Sequence, residues 1–133
     1  MKILIAEDDR MSRTFLAKFL APAGEVDVAQ DGMEALDFIM EAMKNHAQYD
    51  LLCLDIMMPK VDGLKVLKVV RAMEEQQGVP PEEHLPIIMM TAIAESDYVD
   101  RAFELGCDAY ASKPVELNEL EGVIKSLGFD VKL

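Results

Sequence analysis

Wholly apolar runs of four residues alternate along this chain with longer stretches whose apolar positions recur at helical spacing. Ile3-Leu4-Ile5-Ala6, Leu51-Leu52-Cys53-Leu54 and Ile87-Ile88-Met89-Met90 contain no charged residue. Strands buried on both faces have this character. Glu25-Val26-Asp27-Val28-Ala29 alternates instead, as an edge strand does, and Ala109-Tyr110-Ala111 reads as a short fifth strand. Between them, Met11–Ala21 predicts a helix with Phe15, Leu16, Phe19 and Leu20 on one face and Gly24 just past its end. Asp31 is placed to cap a helix striped by Leu36, Ile39, Met40 and Met43, at i, i+3, i+4 and i+7. Leu64–Met73 and Asp97–Leu105 predict two more helices. Leu117, Leu120, Ile124 and Leu127 mark the last. The segment Gln76–Pro86, with Pro80-Pro81 and Pro86, breaks the pattern and predicts a long surface loop.

Five strand–helix pairs with apolar central strands predict an α/β fold: a doubly wound, five-stranded parallel sheet with helices on both faces and right-handed crossovers. The 133 residues allow one domain, 1–133, and no repeat or linker divides them.

Charge narrows the function. Asp and Glu number 25 against 13 Lys and Arg, a formal net charge of −12, while 51% of residues are hydrophobic. The acid excess therefore sits on a folded body. It argues against direct nucleic-acid binding, which needs a basic footprint, and against an anionic membrane surface. It favours a cation, a basic partner or plain solubility. No apolar run approaches the ~20 residues of a bilayer span, and Glu7 comes too early for a signal peptide. A cytoplasmic, reduced location is expected. Cys53 reads as a core residue. Without a Cys/His cluster zinc is not expected. The isolated His46 and His84 read as surface residues.

In an open parallel sheet, ligands bind beyond the carboxyl ends of the strands. Those ends carry Glu7-Asp8-Asp9, Asp55, Thr91 and Ser112-Lys113-Pro114. Asp9 stands where an N-cap belongs. Glu7, Asp8 and Asp55 repel one another unless a cation lies between them, and an oxygen-only set suits Mg²⁺. A carboxylate such as Asp55 can also attack phosphorus, given a cation to screen the approach. Lys113 and Thr91 are the charge and hydroxyl types that a phosphoryl group takes as partners.

Taken in order, Ile3-Leu4-Ile5-Ala6-Glu7-Asp8-Asp9, the run Leu54-Asp55-Ile56-Met57-Met58-Pro59-Lys60-Val61-Asp62-Gly63-Leu64, Met89-Met90-Thr91-Ala92, Gly106-Cys107-Asp108-Ala109-Tyr110 and Lys113-Pro114 resemble the receiver domain of two-component response regulators over residues 1–127. The resemblance implies a flavodoxin-like strand order 2-1-3-4-5. It implies Asp55 as phosphoacceptor and Thr91 and Lys113 as phosphoryl contacts. Asp8 is implied as direct ligand of Mg²⁺ (or Mn²⁺), Glu7 as its water-mediated companion, and Met57 as donor of a backbone carbonyl. Tyr110 is implied as switch aromatic and Pro114 as a cis proline. The implied partners are a sensor histidine kinase or histidine phosphotransfer protein and an unknown downstream protein that reads helix 4, strand 5 and helix 5. The implied activity is that of a signalling phosphoacceptor, not an enzyme, in a single-domain protein.

Three other classes fit the residues less well. An Asp-nucleophile phosphatase commonly has a second Asp two residues on as general acid, where this chain has Met57. A flavin protein needs a Gly- or hydroxyl-rich phosphate loop after the first strand, where this chain has Glu7-Asp8-Asp9. A partner-binding receiver without phosphorylation would not need Asp55, Thr91 and Lys113 together. The last helix carries Lys125 but no Arg, which lowers the expectation of the family's transcription-factor dimer. Two residues beyond Asp55 and Thr91 stand Met57 and Ile93, both apolar, so neither orients an attacking water. Slow self-dephosphorylation is expected, and Met57→Asn should shorten the lifetime of the phosphorylated protein in a mass-spectrometric decay course. An unchanged or longer lifetime refutes this.

Overall fold

The computed structural model describes residues 1–92 and 97–133; Ile93 lies outside the described residues. Along the chain run β1 (Lys2–Ala6), α1 (Arg10–Leu20), β2 (Glu25–Ala29), α2 (Gly32–Lys44), β3 (Leu51–Asp55), α3 (Gly63–Gln76), β4 (Ile87–Thr91), α4 (Asp97–Glu104), β5 (Ala109–Ser112) and α5 (Leu117–Ser126). Short 3₁₀ turns occupy Ala21–Ala23 and Pro81–Glu83. All strand pairs are parallel, in the order β2-β1-β3-β4-β5.

Successive strand residues point to opposite faces, and the central strands divide the core accordingly. Leu4, Leu52, Leu54, Ile87 and Met89 pack with α2, α3 and α4. Ile3, Ile5, Leu51, Cys53, Ile88 and Met90 pack with α1 and α5. Each such side chain, fully removed from water, is worth roughly 1.5–3 kcal/mol. Burial pushes the Cys53 thiol up to about 12, so it stays a neutral core group. Among the described residues, no helix is long and apolar enough to cross a membrane.

Helix starts follow their caps. Asp9, Asp31 and Asp62 accept the N–H groups of Ser12, Glu34 and Lys65 at 2.9, 2.8 and 2.9 Å. Two expected apolar faces differ. Phe15 is exposed and stacks on Phe19, leaving Leu16 and Leu20 as the buried residues of α1. On α2 the buried stripe is Ala35, Ile39 and Ala42, and Met40 faces solvent. Apart from Ile39, the buried residues of this helix are small: Gly32, Ala35 and Ala42. Helix α3 also runs to Gln76, three residues past its last expected apolar position.

The end of the sheet away from the acidic rim is held by polar contacts that include His84, which is not an isolated surface residue. Buried Glu74 accepts the Leu85 N–H at 2.6 Å and the Arg71 guanidinium at 2.7 Å. Arg71 also reaches the Gly106 carbonyl (2.9 Å) and Asp108 (3.0 Å). Asp108 accepts the Ile87 N–H at 2.8 Å, and His84 Nε2 meets the Val79 carbonyl at 3.0 Å. Segment 77–86 is thereby fixed to α3 and to the start of β4. Glu74→Ala leaves the Leu85 N–H unpaired and takes one of its two carboxylate partners from Arg71, and should cost about 1–3 kcal/mol. Glu74→Gln, which keeps an acceptor, should cost less. Urea unfolding of the two variants checks the order.

Candidate functional site

Each site residue is delivered by a ladder that continues one hydrogen bond past the end of a strand. The Glu7 N–H donates to the Ala29 carbonyl (3.1 Å), the Ile56 N–H to Met90 (3.1 Å), and the Lys113 N–H to Thr91 (2.8 Å). These bonds fix the backbone on either side of Glu7, Asp55, Thr91 and Lys113. The strands in between are apolar and rigidly packed, so the polar groups sit on a preformed rim. Asp9 caps α1 and is not part of the cluster.

Carboxylate oxygens of Glu7, Asp8 and Asp55 all lie within 4.8 Å of one another. Glu7 is 0% and Asp55 3% exposed, whereas Asp8 opens to solvent. The Lys113 ammonium donates to Glu7 and, at 2.9 Å, to Asp55 Oδ2. The Met57 N–H donates to Asp55 Oδ1 at 3.2 Å. Burial holds the Glu7 carboxyl above its ordinary pKa, and the Asp55 carboxyl beside it adds to the rise while Lys113 opposes it. For Lys113, burial disfavours the charge, but the hydrogen bonds and charges of Glu7 and Asp55 outweigh it, and its pKa is raised. Three carboxylates against one ammonium leave an anionic pocket with oxygen donors only. A hard divalent cation fits that donor set, with Asp8 on the open side.

The structure gathers Glu7, Asp8, Asp55, Lys113 and the Met57 backbone. Thr91, 1% exposed, ends β4 one residue beyond Met90, the register partner of Asp55. The Lys113–Pro114 peptide bond is cis. Tyr110 lies apart on β5, 40% exposed, with its ring edge-on to Phe103 at 6.1 Å. The Met57 side chain faces solvent.

Two participants were not foreseen. Arg13 donates to the carbonyls of Glu7 (3.0 Å) and Asp8 (3.3 Å) and fastens the acidic loop to α1; nothing in its sequence position marks it. Gly63 opens α3 directly against β3, where an added Cβ would stand 2.1 Å from the Asp55 carbonyl oxygen. Its signal was present: an Asp-Gly pair at a helix start, where glycine is a poor helix former, occurs at both Asp31-Gly32 and Asp62-Gly63.

A flavodoxin-like parallel sheet whose carboxyl rim unites a buried Asp, an acidic pair and a Lys defines a phosphoacceptor signalling module. Residues 3–125 match the family described as response regulator receiver domain, and the chain belongs to it. It is 34% identical over 126 residues to hybrid signal transduction histidine kinase I of Dictyostelium discoideum, covering 94% of this chain and 7% of that protein. It is 32% identical to transcriptional regulatory protein CusR of Escherichia coli, covering 96% of this chain and 51% of CusR. The chain thus spans a small part of the first of these curated relatives and about half of the second. A solved structure of the Saccharomyces cerevisiae phosphotransfer protein Ypd1 with the receiver domain of Ssk1 is similar at 26% identity and a TM-score of 0.79, covering 96% of this chain and 88% of that one.

The raised pKa of Glu7 gives metal-free protein a defined pH dependence. Once pH passes the ordinary value of 4.5, the unfolded chain has released this proton while the native state keeps it. Stability contributed by the protonated carboxyl therefore falls as pH rises through the native pKa. In chelator, wild-type stability should decline across this window relative to Glu7→Gln, which has no proton to lose. Urea unfolding of both proteins from pH 4.5 to neutrality measures the difference, and parallel curves would refute it.

Proposed function

We propose that this chain is a single receiver domain, 1–133, that accepts a phosphoryl group on Asp55 in a Mg²⁺-dependent reaction. The observation that carries this is the Lys113 ammonium held on both buried carboxylates, Glu7 and Asp55, beside the open Asp8. Such a lysine makes a point-charge partner for a phosphoryl oxygen next to the nucleophile. Glu7, Asp8, Asp55 and the Met57 carbonyl would hold Mg²⁺, which when bound screens the charge of the incoming group.

The donor is a phosphohistidine of a sensor kinase or phosphotransfer protein, a reading supported by the hybrid-kinase relative and by the likeness to a receiver solved with Ypd1. An Asp55 carboxylate oxygen attacks phosphorus, and an O–P bond forms as the N–P bond breaks. The imidazole leaves with the electron pair of that bond and takes up a proton. Lys113 follows the new oxygens, and the Thr91 hydroxyl donates to one of them. The added group brings about −1.5 to −2 charges. Drawing Thr91 across frees space for Tyr110 to turn inward, which biases a two-state equilibrium of α4, β5 and α5. The exposed Phe103–Tyr110 pair lies on this face, where a downstream protein reads the change.

Incubation with Mg²⁺ and acetyl phosphate should add the mass of one phosphoryl group, seen by intact mass spectrometry. Asp55→Asn should abolish the adduct. An adduct that survives Asp55→Asn refutes the assignment, and none in the wild type refutes the function.

A further inference from the structure

The strained part of the site loop lies away from the carboxylates. Lys60 has φ +67°, in the left-handed region that a side chain disfavours. The Val61 N–H donates to the Pro59 carbonyl at 2.8 Å and closes a three-residue turn around it. Strain of this kind persists only where surrounding structure imposes it, and it clusters at functional sites.

The N-terminus of α2 meets the loop at this point. Lys60 Nζ lies 3.3 Å from Asp31 Oδ2, while Asp31 Oδ1 caps α2 through the Glu34 N–H. Gly32, the next residue, is buried against the loop: a Cβ there would stand 1.9 Å from the Val61 carbonyl oxygen. Gly32 has no positive φ, so its backbone would accept a side chain and only the loop forbids one.

The loop is short and closed, so a push at Val61 is not absorbed locally. Its far end returns through the Gly63 N–H to the Ile56 carbonyl at 2.8 Å. Gly63 rests on the Asp55 carbonyl, and Met57 donates to the Asp55 side chain. Asp31 and Gly32 thus connect, through residues 56–63, to the backbone on both sides of the reacting carboxylate.

We infer that Gly32 and, to a smaller extent, Asp31 are positioning residues for the phosphoacceptor site: the start of α2 sets where loop 56–62 holds Met57 and Asp55. The inference rests on the roles proposed for those two residues. Lys60 is largely exposed, and such an ion pair contributes little, so the close approach at Gly32 dominates.

The test compares Gly32→Ala and Asp31→Asn, which keeps the cap, with two references. Gly122→Ala adds a Cβ with nothing within 4 Å; Ile124→Val loosens the core on the opposite face of the sheet. Amide NMR of metal-free protein should show Gly32→Ala shifting Met57 and Asp55, with Asp31→Asn shifting the same signals less. Mg²⁺ titration by calorimetry should show about tenfold weaker binding in Gly32→Ala, the usual loss when a ligand's supporting residue is altered. The references should move neither readout. Shifts confined to residues 30–36 and 59–62, with wild-type Mg²⁺ affinity, overturn the inference. If Gly32→Ala does not fold, Asp31→Asn with unmoved Met57 and Asp55 signals overturns it. Wild-type protein that binds no Mg²⁺ refutes the proposed function instead, and the amide shifts still decide the positioning role.

Discussion

The site depends on one interaction, the ammonium of Lys113 shared between the buried carboxylates of Glu7 and Asp55. Removed from water without a partner, either carboxylate would be costly. Together they also repel. Lys113 satisfies both, yet it is partly solvent-accessible and carries one charge against three carboxylates, so the pocket keeps an anionic excess. That excess favours a divalent cation, and the cation in turn is what an anionic phosphoryl group requires. The same imbalance costs stability in the free protein and supports the proposed chemistry.

Lys113 can hold this place because the sheet leaves little freedom. Its N–H continues the β4–β5 ladder to Thr91, as the Ile56 N–H continues the β3–β4 ladder to Met90. The rim therefore moves only if the sheet moves, and the sheet is packed on both faces by fully buried side chains. At the other end, Glu74 and Arg71 fasten the long loop and the start of β4. In the proposed switch the change therefore falls on the loops and on side chains of α4 and β5 such as Phe103 and Tyr110, which already stand in solvent.

Charge accounts for less of the signal than the acid surplus first implies. A bound divalent cation offsets two of the twelve net negative charges, and phosphorylation returns about −1.5 to −2. Net charge barely changes across the proposed switch, so the signal is local shape. The remaining acids form a solvated surface that disfavours nucleic acid.

The apolar runs and the helical stretches between them determined the parallel sheet, because strands buried on both faces are almost wholly apolar and a parallel pair demands a helical crossover. The candidate residues were legible for a related reason: Glu7-Asp8, Asp55 and Thr91 each follow such a run, Lys113 follows the short fifth strand, and strand ends share one rim. Amphipathic positions were less legible. Phe15 and Met40 fit their helical stripes yet face solvent, since burial depends on how closely a helix sits on the sheet, which no single stripe encodes. The link from the Leu85 N–H to Glu74, and the one from Arg13 to the acidic loop, join residues whose spacing carries no signal. Only the tertiary structure decided that Gly32 and Gly63 let two helix starts touch the loop around Asp55, because close approach is a property of two backbone segments and not of either alone.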